Sequence, residues 1–215
     1  MNWRRGWDSN PRDPCGPTGF QDQGDQPLRH PSTHVDYSEP SAAGHVAGWW
    51  CSIECMNDDA LYMALALEQA RRAAEEGEVP IGAVLVCDGA VVAHGRNARE
   101  WGADPTAHAE LIVIRDGAEK LGRWRLSGCT LYVTLEPCPM CAGAMVNARI
   151  DRLVYGAADP KAGAVGTLYD LSSDARLNHS FGVTRGVLEQ ECGEVLREFF
   201  QRLRKRGRSE NQGVR

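Results

Sequence analysis

Two short stretches of this 215-residue chain carry side chains able to do chemistry. His108-Ala109-Glu110 offers an imidazole and a carboxylate, and Pro137-Cys138-Pro139-Met140-Cys141 offers two thiols separated by two residues. One nitrogen and two sulfurs make a donor set that zinc favours. Three protein ligands leave the fourth tetrahedral position to water, as in catalytic rather than structural zinc sites. A structural site would need a second Cys-x-x-Cys or a nearby fourth ligand, and Cys138/Cys141 is the only such pair in the chain. The residues therefore predict a zinc-dependent hydrolytic centre with one spare carboxylate.

Cys138 and Cys141 share a face if they lie on a helix. Pro139 suits the first position of that helix, which puts both thiols in its first turn. The partial positive charge of a helix N-terminus favours thiolate over thiol. Two buried core cysteines are the competing interpretation, but packing alone does not require prolines on both sides of Cys138. His108 alone is weak evidence; it gains weight from starting its own helix. Glu110 is harder to place, because residues two apart in a helix interior do not face each other. The two address one point only if that point lies beyond the first turn. A Glu110 facing the site is free to move protons, since three other residues hold the metal.

Several classes are excluded by composition. Hydrophobic residues make up 42% and charged residues 25%, as in a globular domain with its own core. No apolar run is long enough to span a bilayer, and the N-terminus lacks the apolar stretch of a secretory signal. A cytoplasmic protein is expected. Its eight cysteines do not form a disulfide framework. The formal net charge of −5 gives no basic signal overall, yet residues 196–215 hold seven basic and two acidic residues, so an RNA partner is not excluded.

Residues 1–55 are rich in Pro, Gly, Asp, Gln and Ser without period 2 or 3.6. They predict a disordered extension, or a chain whose translation starts at Met56. His45, Cys51 and Cys55 are too loosely spaced to make a convincing second metal site. A domain is expected over 56–205 and a basic flexible tail over 206–215. Asp58 or Asp59 caps a helix to about Glu76, with Leu61, Ala64 and Leu65 near one face, and Gly77 ends it. Ile81–Cys87 and Ala90–Ala93 flank Asp88-Gly89, the signature of a type I′ hairpin; both strands should be buried on both faces, with Cys87 a core thiol. A polar loop carries Asn97 to Trp101. Asp104 as cap and Pro105 as first residue then start a helix bearing His108 and Glu110, with Leu111, Ile114, Ala118 and Leu121 as its apolar stripe. Cys129–Leu135 is a strand, the Cys138 helix runs to about Ala148, and Arg152–Gly156 is a strand parallel to the first by a right-handed crossover. A Gly-rich loop over 159–166, an apolar run near 181–187 and a helix from about Cys192 to Arg204 complete an α/β class, a mixed sheet with helices on both faces.

His-x-Glu followed by Pro-Cys-x-x-Cys is the signature of zinc deaminases. The flanking residues narrow it. Glu78-Val79-Pro80-Ile81-Gly82-Ala83-Val84-Leu85-Val86, Asp104-Pro105-Thr106-Ala107-His108-Ala109-Glu110, Thr130-Leu131-Tyr132-Val133-Thr134-Leu135-Glu136-Pro137-Cys138, Cys141-Ala142-Gly143-Ala144-Met145, Asn178-His179 and Phe199-Phe200 make residues 56–204 resemble the bacterial tRNA-specific adenosine deaminases. Residues 1–55 lie outside that resemblance. It implies the three-layer α/β/α cytidine deaminase-like fold with a central mixed five-stranded sheet. It also implies a homodimer with one Zn2+ per subunit, held by His108, Cys138 and Cys141, and no membrane partner. The substrate would be the wobble adenosine, position 34, of a tRNA anticodon stem-loop, deaminated hydrolytically to inosine. Glu110 would be the catalytic proton carrier, Asn97 would hydrogen-bond the flipped nucleotide, and the loop over 159–166 would line the RNA groove. Phe199 and Phe200, adjacent on a helix, cannot both face the core, which leaves one for a partner subunit or RNA.

Two alternatives compete. One is a guanine or cytosine nucleobase or nucleoside deaminase with the same centre; the basic tail argues against it, since a small substrate needs no cationic footprint. The other is a zinc-stabilised RNA-binding module without catalysis, in which Glu110 would be dispensable and zinc would support folding only.

Overall fold

The computed structural model describes residues 58–212, with side chains to Arg206. The extension over 1–55, the start at Met56 and the His45/Cys51/Cys55 grouping lie outside these residues.

The chain runs α1 (Asp58–Glu75), β1 (Gly82–Cys87), β2 (Ala90–Arg96), α2 (Arg99–Gly102), α3 (Ala109–Leu121), β3 (Cys129–Leu135), α4 (Pro139–Ala148), β4 (Arg152–Ala157), β5 (Gly182–Arg185) and α5 (Glu189–Gln212). The five strands form one sheet in the order β2-β1-β3-β4-β5. β1 is antiparallel to β2 and β3, whereas β3, β4 and β5 run parallel, so the sheet is mixed as expected.

Strand period 2 divides the core into two layers. Ala83, Leu85 and Cys87 of β1, Leu131 and Val133 of β3, and Leu153 and Tyr155 of β4 pack with α3 and α4. Val84, Val86, Tyr132 and Val154, from alternate positions, pack with Met63, Ala66 and Leu67 of α1 and Cys192 of α5. This is the three-layer arrangement, α3 and α4 on one face and α1 and α5 on the other.

Several local expectations need correction. The core face of α1 is Met63, Ala66, Leu67, Ala70 and Ala73, while Leu61 and Leu65 are each 37% exposed. α1 approaches β1 closely there: a Cβ on Gly82 would stand 2.1 Å from the Ala66 carbonyl oxygen, so that strand position requires glycine. β2 is not buried on both faces; it is an edge strand with Ala90, Val91 and His94 exposed. Residues 99–102 of the expected loop form the single turn α2. The core residues of α3 are Ala109, Val113, Ile114 and Gly117, with Ala118 and Leu121 at the margin. α5 begins at Glu189 and continues to Gln212, through residues 206–212 where a tail was expected; one glycine, Gly207, costs a helix only about 1 kcal/mol. Phe199 is buried and Phe200 is 41% exposed, as adjacent helix positions require.

The hairpin turn follows expectation, with φ of 50° at Asp88 and 76° at Gly89. Asp59 does more than begin α1. Arg152 donates two hydrogen bonds to its carboxylate, at 2.8 and 2.6 Å, and the Tyr132 hydroxyl a third at 2.9 Å. These partners tie α1 to β3 and β4, and the Arg152 contact foremost holds the Asp59 carboxyl below its usual range. Asp59→Asn is expected to lower stability by about 1–3 kcal/mol at pH 7. The folded pKa is depressed, so this stabilisation is present above the unfolded value of about 3.9 and lost as pH falls through the folded value. Thermal melts of both proteins at pH 7 and pH 3 check this, and the difference between them should shrink at pH 3.

Candidate metal centre and active site

His108 is not inside a helix; it is the N-cap of α3, with extended backbone (φ −78°, ψ 147°). The expected cap works elsewhere. Asp104 Oδ1 accepts the Thr106 N–H and hydroxyl, each at 2.7 Å, and so closes a turn before the helix. Because His108 is extended and Glu110 is in the first turn, the two-residue spacing no longer separates them as it would mid-helix. Cys138 is likewise the extended N-cap of α4 (φ −73°, ψ 171°), with Pro139 at the first position as expected. Neither cap residue makes a side-chain capping bond, so both side chains remain free for the site. Two helix N-termini therefore meet at one point, at the end of the sheet where β3 finishes.

His108 Nδ1 lies 3.8 Å from Cys138 Sγ and 3.5 Å from Cys141 Sγ, and the two sulfurs are 3.6 Å apart. A tetrahedral zinc with Zn–S of about 2.3 Å and Zn–N of about 2.0–2.1 Å needs edges of about 3.8 Å between sulfurs and about 3.5 Å from sulfur to nitrogen. The observed triangle fits that cation. Among the described residues no other trio of metal-ligating side chains converges in this way.

Hydrogen bonding with Cys141, aided by His108, lowers Cys138 to about 4, so it is the thiolate. Cys141 is pushed up, first by that same contact and then by burial. Contact with the Cys138 sulfur raises His108.

Glu110 stands beside the cluster. It is buried, and its Oε2 has no hydrogen-bond partner. Burial foremost pushes its carboxyl above the usual range. A hydrogen bond to a buried acidic oxygen is costly to leave unmade. Asn97, 2% exposed, has an unpartnered Oδ1 as well. Its position is tied to the site by backbone bonds: Asn97 N–H to Ile81 O at 3.0 Å, and Ala98 N–H to Ala107 O, next to His108, at 3.0 Å. The structure thus brings His108, Cys138 and Cys141 into contact and holds Asn97 on an adjoining segment.

Two buried carboxylates near this end escape a reading of the sequence. Glu78 accepts the Trp101 N–H at 2.7 Å and leaves its Oε2 unpartnered. Glu136, two residues before Cys138, is 2% exposed and fully engaged by the loop that follows β4. The one available signal is an acidic residue ending the apolar run Cys129–Leu135, and by itself it marks only a strand break. A separate open cleft of about 560 Å3, lined by Asp59, Tyr62, Asp88, Tyr132 and Arg152 among others, lies at the opposite end of the sheet, away from the thiols.

The sequence profile of the MafB19-like deaminase family matches residues 56–204. A tRNA-specific adenosine deaminase of Bacillus subtilis is 54% identical over 151 residues, covering 70% of this chain and 94% of that protein. A solved structure from work on A-to-I editing by tRNA:A34 deaminases superposes with a TM-score of 0.62 at 52% identity, over 63% of this chain and 99% of the other. A guanine deaminase of Nitrosomonas europaea shares the fold at 25% identity and a TM-score of 0.57, over 65% of this chain and 83% of the other. With a thiol–imidazole triangle of zinc dimensions and more than half of its own sequence aligned to nearly the whole of such an enzyme, the chain belongs to the tRNA-specific adenosine deaminase family.

Proposed function

We propose that this protein is a zinc-dependent tRNA adenosine deaminase that converts the wobble adenosine, position 34, to inosine. The observation that carries this is the His108–Cys138–Cys141 triangle with the unpartnered, buried Glu110 oxygen beside it. Zinc, one per subunit, would be held by those three side chains and would supply Lewis acidity that brings the pKa of water from about 15.7 toward about 7. Glu110 then handles the protons. Its Oε2 takes one from the attacking water and delivers it to the purine N1, then moves the remaining proton of the oxygen added at C6 to the amino group, which leaves as ammonia as the C6–N bond breaks. Adenosine and water give inosine and ammonia. Asn97 Oδ1 accepts a hydrogen bond from the nucleoside once the base has left the anticodon stack, as base chemistry requires. Burial at Glu110 and Asn97 excludes bulk water from these contacts.

A homodimer in the cytoplasm belongs to the same proposal. Phe200 and Leu203, 41% and 46% exposed and one turn apart on α5, offer apolar surface for a second subunit. No described helix is long and apolar enough to cross a membrane.

The test is mass-spectrometric detection of product from tRNA, free adenosine, cytidine and guanine. Inosine in tRNA, at anticodon position 34, is expected. Turnover of guanine or cytidine alone would favour the small-substrate alternative, and zinc binding without any product would favour the RNA-binding module.

The basic end of α5 yields a second measurement. Arg202, Arg204, Lys205, Arg206 and Arg208 lie on α5 before its last turn, which holds no basic residue. Neutralising all five is expected to weaken tRNA binding and to flatten the slope of log affinity against log salt by roughly 0.7 for each phosphate that the variant no longer neutralises. Zinc content and turnover of saturating tRNA should hold. An unchanged slope with a lower melting temperature would assign these residues to helix stability alone.

A further inference from the structure

Glu136 accepts four hydrogen bonds from a single loop. The donors are the Asp159 N–H at 3.1 Å, the Val165 N–H at 3.3 Å, the Thr167 N–H at 3.0 Å, and the Thr167 hydroxyl. The same strand end contributes a fifth clamp, since the Ala164 N–H donates to Pro137 O at 2.9 Å. The next residue is Cys138. The loop closes on itself as well, through Gly163 N–H to Asp159 O at 2.9 Å and Leu168 N–H to Gly163 O at 3.0 Å. Gly163 is pressed against the carboxylate, and a Cβ there would stand 2.4 Å from Glu136 Oε2 and 2.7 Å from the Asp159 carbonyl oxygen. One buried side chain therefore locks residues 159–168 to the turn that bears the first thiol.

A loop this short can close with its own backbone bonds, as most surface turns do. A buried carboxylate committed entirely to it demands another reason. We propose that Glu136 is a positioning residue, which holds the 159–168 loop as a preformed wall of the RNA groove beside Cys138 so that the substrate meets an ordered surface. This rests on the tRNA deaminase function proposed above. A flexible loop must be ordered at the moment of binding, which weakens affinity; a loop ordered in advance has already met that cost. The hydrogen bonds that Glu136 accepts come from the loop, so its effect falls on KM rather than on kcat.

Three variants separate this role from a purely structural one, with kcat and KM on an anticodon stem-loop, zinc content and melting temperature measured for each. Glu136→Gln replaces one acceptor oxygen by an NH2 facing backbone donors. It is expected to raise KM on the order of tenfold or more, with kcat at saturating RNA within about twofold and zinc content unchanged. Gly163→Ala keeps the carboxylate but forces the loop off it, and should reproduce the KM signature. Thr167→Val removes only the hydroxyl donor and should shift KM in the same direction by less. If Glu136→Gln fails to fold, the other two carry the test on the same criterion. Unchanged KM in the folded variants would overturn the inference, as would a fall in kcat and zinc content at constant KM, which would mean that Glu136 serves the thiol turn instead. Failure of the functional proposal is read from the wild type alone: a wild-type protein that neither binds nor deaminates the stem-loop overturns both.

Discussion

Replacing Glu110 by alanine is expected to lower turnover of tRNA by roughly 10²–10⁴-fold or more, the range for loss of a positioned proton carrier. Zinc content and tRNA affinity should stay near wild type. The side chain lies beside the thiol–imidazole cluster, not within it, so no ligand is removed. Its Oε2 has no protein partner, so truncation breaks no hydrogen bond of that atom. It also relieves the burial of an acid, and stability should not fall in proportion to activity. Glu110→Gln is the sharper variant, because it preserves shape and removes only the ability to accept and return a proton. Turnover, zinc by atomic absorption and RNA affinity by filter binding decide the matter. Zinc lost together with activity would make Glu110 a ligand or a structural group, and retained turnover would favour the non-catalytic module.

Cys138→Ser is expected to bring zinc from about one per chain, the count for a single such site, to a small fraction of that, with activity falling in parallel. A serine hydroxyl does not ionise near neutral pH, whereas Cys138 is lowered to about 4 by its hydrogen bond with Cys141 and by His108. The substitution also leaves the fold a clean control. Cys138 occupies the N-cap of α4 without a capping bond, and serine is among the best residues at that position. Helix α4 should thus be at least as stable in the variant as in the metal-free wild type. Full zinc occupancy in Cys138→Ser would remove Cys138 from the ligand set.

The thiol half of the site is the easier half to see in the sequence. Cys-x-x-Cys with Pro139 specifies both a helix start and a shared face, and these are local properties. The imidazole half is less visible for a reason that is also local. Asp104-Pro105 looks like a helix start, but Thr106 captures the Asp104 carboxylate through two bonds and makes a turn instead. The helix then begins after His108, which resolves the spacing difficulty of Glu110. Glu136 is invisible for a non-local reason: its donors at 159, 165 and 167 lie beyond helix α4 and strand β4, and no period relates them to it. The exposure of β2 is hidden because strand order in a sheet is not written in any one strand. Leu61 and Leu65 mislead because size suggests burial, while the helix turns Met63, Ala66, Leu67, Ala70 and Ala73 toward the sheet instead.

The hairpin joining β1 and β2 closes through two residues, and such pairs form in about 1–10 μs in isolation. His108 and Glu110 belong to that hairpin's side of the sheet, through α3 packed on β1 and β2. The thiols belong to the other side, on α4 between the parallel strands β3 and β4. Within the sheet the β1–β3 ladder joins the two, and it pairs residues far apart in sequence, the slowest kind of contact to make. A chain that has built both halves but not this seam possesses every reactive side chain and no catalyst, so the appearance of activity would time the last long-range step of folding rather than the first.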